Sequence, residues 1–277
     1  YKVKSGIVKT VRLGLAFDLR ILKQVKYERA LRNLDVVIFP DLADGGYAAL
    51  ERGSAVHRKG DALWETFREA SRRFSCTCVA GSMLLREGMD AGTNASYVFS
   101  CGRVIHRYDK IHLFRPTGDH KHFVRGEKIR AFGLTVRGER MRGAVILCYD
   151  LRFPELTRAL ALQKIQMLFV PARWPGKRDA AWQTLLRARA IENQIFVVGC
   201  NARGSEGGQS YVFGPSGEKL YSSRGRRSSP LTCLSLDPGQ ISNARRLHRN
   251  IREAVLLNRM ILPGTLPRHS SRPAAGR

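Results

Sequence analysis

Nine short apolar runs recur along the chain, and their alternation with helical patterns constrains the fold more than any other feature. They are VRLGLAF (11–17), LDVVIF (34–39), SCTCVAGSMLL (75–85), SYVFS (96–100), RGAVILCYD (142–150), IQMLFVPA (165–172), IFVVGCN (195–201), SYVFG (210–214) and LTCLSLD (231–237). Their lengths and their Val, Ile, Phe and Cys content fit buried strands. Between them, ILKQVKYERALRN (21–33) and DALWETFREASRRF (61–74) place apolar residues three and four apart, as a one-sided helix does. PELTRALAL (154–162) opens on a proline suited to a first helical turn, and AWQTLLRARAIEN (181–193) gathers Leu185, Leu186, Ala190 and Ile191 on one side. Tight turns in FSCGRV (99–104) and VRGERMRG (136–143) read as hairpins. Strand-helix-strand units mixed with hairpins predict a layered α/β architecture with mixed sheets.

No internal repeat interrupts this pattern. We expect a single domain over residues 1–262, followed by a Pro-, Ser-, Arg- and Gly-rich basic tail, residues 263–277, that is disordered. The chain opens at Tyr1 without a methionine, which reads as a partial sequence, and no stretch reads as a signal peptide or a membrane span. Six cysteines, mostly inside apolar runs, behave as small buried hydrophobes in a chain long enough to fold without bridges. Together these features predict a reduced, cytoplasmic protein, and no cysteine or histidine spacing forms a metal site.

Charge is the one anomaly of composition. With 48 Lys and Arg against 23 Asp and Glu, the net charge is +25. Such a field suits acidic small molecules, anionic surfaces or nucleic acid. Nucleic acid is not favoured as a partner, because no zinc-finger spacing or RNA-recognition signature accompanies the charge.

Three stretches hold residues with chemical potential. In RGAVILCYDLRFPEL the strand ends at Cys148, turns, and enters a helix at Pro154; this is the layout that lifts a nucleophile out of a sheet. A buried thiol like Cys200 is the plain alternative, but Asp150, Arg152 and Glu155 crowd the same strand end, where charges are costly unless paired or used. In RYDKIHLF (107–114), Lys110 and His112 share a strand face, and either is a partner for a cysteine. In FPDLADGGY (39–47), Asp41 stands where a strand ends, a place equally suited to a general base and to a turn former.

In this order and spacing, FPDLADGGY, GSMLL with Asn94, YDKIHLF, ILCYDLRFPEL, VPARWP, LLRARAIENQIFVVGCN, GQSYVFGPSGE and LSLD together resemble the nitrilase superfamily of carbon-nitrogen hydrolases. That resemblance implies a four-layer α-β-β-α sandwich with two mixed sheets, usually a homodimer through its outer helices. It also implies catalysis by a Glu-Lys-Cys set without metal or organic cofactor. Carried onto this sequence, Cys148 is the nucleophile, Lys110 the oxyanion donor and Asp41 the general base. Asp119 is the acid that orients the lysine, and the Tyr149 backbone N–H is a second oxyanion donor. Two departures stand out: both family glutamates are aspartates here, and the Gln common at the end of the first strand is absent from LGLAFD.

Within the superfamily the motifs look most like the ω-amidase branch, which implies a small 2-oxo dicarboxylic acid monoamide as substrate. A relative acting on deaminated glutathione is the rival within the family, and a non-catalytic relative binding an acidic partner through its basic surface is the rival outside it. For the substrate carboxylate Arg173 is the candidate cation, and Tyr47 and Trp174 are candidate pocket walls.

Overall fold

The computed structural model describes residues 10–53, 56–86, 92–225 and 229–253, so the expected tail at 263–277 lies outside the described residues. The first half holds strands β1 (Val11–Ala16), β2 (Val36–Ile38), β3 (Val56–His57), β4 (Thr77–Val79), β5 (Met83–Leu85), β6 (Gly92–Ser100), β7 (Arg103–Asp109) and β8 (Phe123–Val124). Helices α1 (Val25–Arg32), α2 (Gly46–Glu51), α3 (Ala62–Arg73) and α4 (Asp119–His122) are interleaved with them. Beyond these follow β9 (Phe132–Val136), β10 (Glu139–Val145), α5 (Pro154–Leu162), β11 (Met167–Ala172), α6 (Asp179–Asn193) and β12 (Phe196–Asn201). The described chain closes with β13 (Tyr211–Phe213), β14 (Lys219–Ser222), β15 (Leu231–Leu236) and α7 (Gly239–Leu247).

Two mixed sheets result. One runs β15-β1-β2-β4-β6-β5-β3, with β7 and β8 also bonded to β6; the other runs β14-β13-β12-β11-β10-β9. In each, the middle strands are parallel (β1-β2-β4 and β10-β11-β12) and antiparallel strands flank them.

Strand alternation explains the layers. Val36 and Ile38 of β2 enter a core shared with Val145, Phe169 and Val198 of the facing sheet. Val37 and the following Phe39 point the other way, against Trp64 and Phe67 of α3. A strand sandwiched between a sheet and a helix is buried on both faces, which is why VVIF (36–39) is apolar without interruption. Trp182, Leu186 and Ala190 of α6 cover the second sheet in the same manner. The order is therefore helix, sheet, sheet, helix, as the resemblance implies.

One apolar run departs from its reading as a continuous strand. Residues 75–85 break into β4 and β5 at Gly81, whose backbone has φ +66°. A Cβ there would stand 1.9 Å from the Pro40 carbonyl oxygen, so only glycine lets this bend press against the end of β2. Its consequence is chemical: Ser82, just past the bend, meets Asp41.

Candidate active site

Asp41, Lys110 and Cys148 converge from three separate strand ends. Asp41 follows β2, Cys148 follows β10, and Lys110 follows β7, whose hairpin partner β6 accepts the Lys110 N–H at Asn94 O (2.9 Å). All three are buried, Asp41 and Lys110 completely. The backbone is left-handed at Leu42 (φ 45°) and at Cys148 (φ 44°), a conformation that side chains other than glycine adopt at a cost and that clusters at functional sites.

Burial makes the hydrogen-bond partners of each polar group decisive. Asp41 Oδ1 accepts from Ser82 Oγ (2.5 Å) and Asn94 Nδ2 (3.1 Å), whereas Oδ2 is buried with no partner among the described residues. One oxygen thus anchors the carboxylate and the other is left with open lone pairs. Lys110 Nζ donates to Asp119 Oδ2 at 2.7 Å, with both side chains fully buried. Asp119 also accepts from the Phe114 N–H (2.9 Å), Tyr47 Oη (2.8 Å) and Thr117 Oγ1 (3.0 Å), which fixes it and, through it, the lysine. Burial opposes the Lys110 charge, but Tyr47, Asp41, Cys148 and Asp119 around it outweigh that and hold its pKa well above the ordinary value.

His112, left open beside Lys110 by the sequence, faces elsewhere. Strand β7 ends at Asp109, so the two residues no longer share a face. Its Nδ1 lies 2.9 Å from Asp150 Oδ1, and its ring stacks on Phe153 with centroids 3.5 Å apart. Asp150, conspicuous in the sequence as a charge beside the cysteine, is buried and also accepts from Tyr108 Oη (2.7 Å) and the Leu147 N–H (3.1 Å). It braces the turn that carries Cys148.

Lys110 does pull the Cys148 pKa down, yet burial dominates and pushes it up to about 12. At neutral pH the resting sulfur is therefore a thiol and needs a base at the moment of attack. Its Sγ lies 3.7 Å from the Arg173 carbonyl oxygen as its acceptor. Tyr149 sits in the first turn of the short helical segment Cys148–Arg152, where N–H groups lack intrahelical acceptors.

Above the cysteine opens a cavity of about 300 Å³, lined among others by Tyr47, Phe114, Tyr149, Arg152, Trp174, Arg178 and Glu206. Tyr47 and Trp174 do line it. Arg173 reaches its wall too, but its guanidinium is engaged: Nε donates to Asp41 O (2.9 Å), Nη2 to Leu42 O (2.7 Å) and Nη1 to Glu206 Oε2 (3.1 Å). Arg152 and Arg178 instead lie over the rings of Trp174 and Phe114, at 5.0 and 5.5 Å, and among the described residues neither has an ion-pair partner. Ser82, Glu206 and the phenylalanine platform of Phe114 went unnoticed in the sequence. Gly81 and Gly46, which mark tight approaches, were the available signals for the first two.

Among the described residues no group of three or more His, Cys, Asp or Glu is placed to hold a metal ion, and no helix is long and apolar enough to cross a membrane.

Residues 19–246 match the family described as Carbon-nitrogen hydrolase. The chain is 30% identical to the 2-oxoglutaramate amidase of Bacillus subtilis (strain 168) over 198 residues, covering 70% of this chain and 75% of that protein. With the Omega-amidase YafV of Escherichia coli (strain K12) it shares 33% identity over 201 residues, 69% of this chain and 75% of the relative. Among solved structures, it resembles a mutant of the amidase from Nesterenkonia sp. AN1 that shows covalent addition of the acetamide moiety of fluoroacetamide at the active site cysteine. The TM-score is 0.67 at 25% identity, over 89% of this chain and 99% of the other.

Proposed function

This chain belongs to the carbon-nitrogen hydrolase family and hydrolyses linear amides, and we propose that its substrate is a small 2-oxo dicarboxylic acid monoamide, cleaved through a thioester on Cys148. The observation that carries this reading is the Cys148 cavity with two cations, Arg152 and Arg178, that no carboxylate neutralises among the described residues. The names of the two relatives, an omega-amidase and a 2-oxoglutaramate amidase, agree with it.

In the proposed reaction, the open Oδ2 of Asp41 takes the thiol proton as Sγ attacks the amide carbonyl. Lys110 Nζ and the Tyr149 N–H receive the developing oxyanion, in a site where water does not weaken them. Collapse of the tetrahedral intermediate breaks the C–N bond, and the proton held by Asp41 leaves with ammonia. Water, deprotonated by the same carboxylate, then cleaves the thioester, and the acid product departs with the thiol restored. Because Arg173 is occupied with the Asp41 loop, Arg178 and Arg152 are the cations we assign to the substrate carboxylate. A homodimer through the outer helices belongs to the same proposal and predicts a solution mass of twice 31.1 kDa.

The test compares kcat/KM for 2-oxoglutaramate with that for butyramide, a smaller neutral amide that lacks the carboxylate. The proposal expects the carboxylated amide to be preferred by at least a hundredfold, about 3 kcal/mol for a charge-assisted contact. Equal turnover of the two amides would sink it.

A further inference from the structure

We propose that the Arg173–Glu206 ion pair is a positioning device for the Asp41 carboxylate and sets how far that acid reaches toward the Cys148 sulfur. The inference rests on the assignment of Asp41 as the proton acceptor. It assigns Arg173 a role other than the substrate clamp expected from the sequence.

Four observations carry it. First, Arg173 follows β11 of one sheet, and its guanidinium crosses to the other, where it takes the two consecutive carbonyls of Asp41 and Leu42 at 2.9 and 2.7 Å. A planar fork can do this and a lysine ammonium on a flexible stem cannot. Secondly, these carbonyls belong to the strained turn in which Leu42 has φ 45°, so the fork holds the main chain where it would not otherwise rest.

Thirdly, the pair is built in. The Arg173 side chain is 12% exposed, and Glu206 turns its Oε2 to Arg173 Nη1 while receiving the N–H groups of Tyr47 (3.1 Å) and Ala48 (3.2 Å). A Cβ on Gly46 would lie 2.2 Å from Glu206 Oε2 and 2.5 Å from Arg173 Cζ, so a glycine leaves the space the pair occupies. Fourthly, the same residue touches the nucleophile, because the Arg173 carbonyl oxygen is the acceptor beside Cys148 Sγ at 3.7 Å. Arg173 therefore spans from the sulfur to the backbone of the acid.

Position matters here because the acid is short. With Oδ1 held by Ser82 and Asn94, the side chain cannot swing freely, and the placement of the Asp41 backbone decides where the unpartnered Oδ2 stands. A displacement of about 1 Å at such a centre costs on the order of a hundredfold in rate. Glu206 connects this half of the site to the other, since the helix start it fixes also carries Tyr47, which donates to Asp119 beside Lys110.

The experiment measures kcat and KM on 2-oxoglutaramate and on butyramide for the parent, Arg173→Lys and Glu206→Gln. Single-turnover acylation, read by intact mass, is then followed for Asp41→Asn and for Asp41→Asn with Arg173→Lys. Positioning predicts that Arg173→Lys lowers kcat by about ten- to a hundredfold on both amides, with KM moving by less than about threefold. Glu206→Gln moves kcat in the same direction by a smaller factor, and it serves alone if Arg173→Lys does not fold. In the Asp41→Asn background Arg173→Lys adds little, because the group it positions is gone.

An effect on KM confined to the carboxylated amide would show a substrate clamp and overturn the inference. Full additivity in the double variant, with Asp41→Asn itself crippled, would overturn positioning and leave the base assignment standing. Near-normal acylation by Asp41→Asn would remove the base assignment, and positioning with it.

Discussion

Substituting Asp119 by Asn removes one charge from a pair buried to zero exposure on both sides, with Nζ and Oδ2 2.7 Å apart. Asn keeps the shape; with its one acceptor oxygen at the Oδ2 position it still takes the Phe114 N–H and Lys110 Nζ, and its NH2 then donates to the Tyr47 and Thr117 hydroxyls, so the loss is mainly electrostatic. Breaking a buried pair by removing one partner costs about 3–5 kcal/mol, because the remaining ion is left uncompensated. Asp41, also buried and among the charges that favour the Lys110 ammonium, takes up part of that cost, so we expect the lower end, about 3 kcal/mol. For a domain of this size each kcal/mol corresponds to roughly 2–4 °C, which gives a fall in Tm of about 6–12 °C. Adding Lys110→Met to Asp119→Asn removes the stranded ion but also takes the cation from buried Asp41, so it should recover part of the loss, leaving a folded protein without amidase activity. Differential scanning calorimetry of the parent, the single and the double variant at pH 7 measures both effects. Burial acts to raise the Asp119 pKa, but the Lys110 charge and hydrogen bonds from Lys110, the Phe114 N–H and Tyr47 overcome it and hold it below the ordinary carboxylate value. A lowered folded pKa contributes stability that is present above the unfolded value and fades as pH falls through the folded one. The gap between parent and Asp119→Asn should therefore narrow below about pH 4. A single-variant shift under 2 °C, or a double variant no more stable than the single, would refute the reasoning.

Lengthening the acid by one methylene carries its carboxylate about 1.5 Å toward the sulfur, so Asp41→Glu should raise kcat by about tenfold or more; steady-state ammonia release checks this, and a loss of rate would mean that the anchoring by Ser82 and Asn94 matters more than reach. His57 sits between Asp44 Oδ2 (2.5 Å) and Asp61 Oδ2 (2.7 Å), and its pKa is raised chiefly by the bond to Asp44. Stability from such a raised pKa is fully present below about pH 6.5 and is lost as pH rises through the folded value. Hence His57→Gln should lower Tm most near pH 6 and hardly at all near pH 9. With its pKa pushed up to about 12, Cys148 should react slowly with iodoacetamide at pH 7 and steadily faster up to about pH 11, as peptide mapping of the alkylated protein would show.

Much of the scaffold was readable from the chain because the central strands of both sheets are buried on two faces, and apolar runs mark such strands directly. LDVVIF, RGAVILCYD and IFVVGCN lie on β2, β10 and β12, and both hairpins fall where their turns put them, between β6 and β7 and between β9 and β10. Short elements at the rim escaped. The two-residue strands β3 and β8 are too brief to carry a period, and β14 and α7 fall in polar sequence that reads as loop. In the site, residues announced by a strand end were legible, namely Asp41, Lys110 and Cys148. Those that act by tertiary contact were not. Ser82 reaches Asp41 only because Gly81 breaks a run that looks continuous, and Glu206 lies in a glycine-rich loop that nothing local ties to α2. Arg173 shows the limit most sharply: its place beside Trp174 suggested a substrate cation, whereas its donors go to backbone carbonyls of a strand end in the other sheet. Sequence gives the charge of such a side chain but not the acceptors that surround it.

The central claim is that Cys148 becomes acylated by the amide. Rapid quench of the enzyme with 2-oxoglutaramate, followed by intact-mass analysis and peptide mapping, tests it directly. The account predicts an adduct on Cys148 equal to the substrate less ammonia, absent in Cys148→Ala, which also releases no ammonia. Ammonia release by Cys148→Ala, or an adduct on another residue, would contradict it.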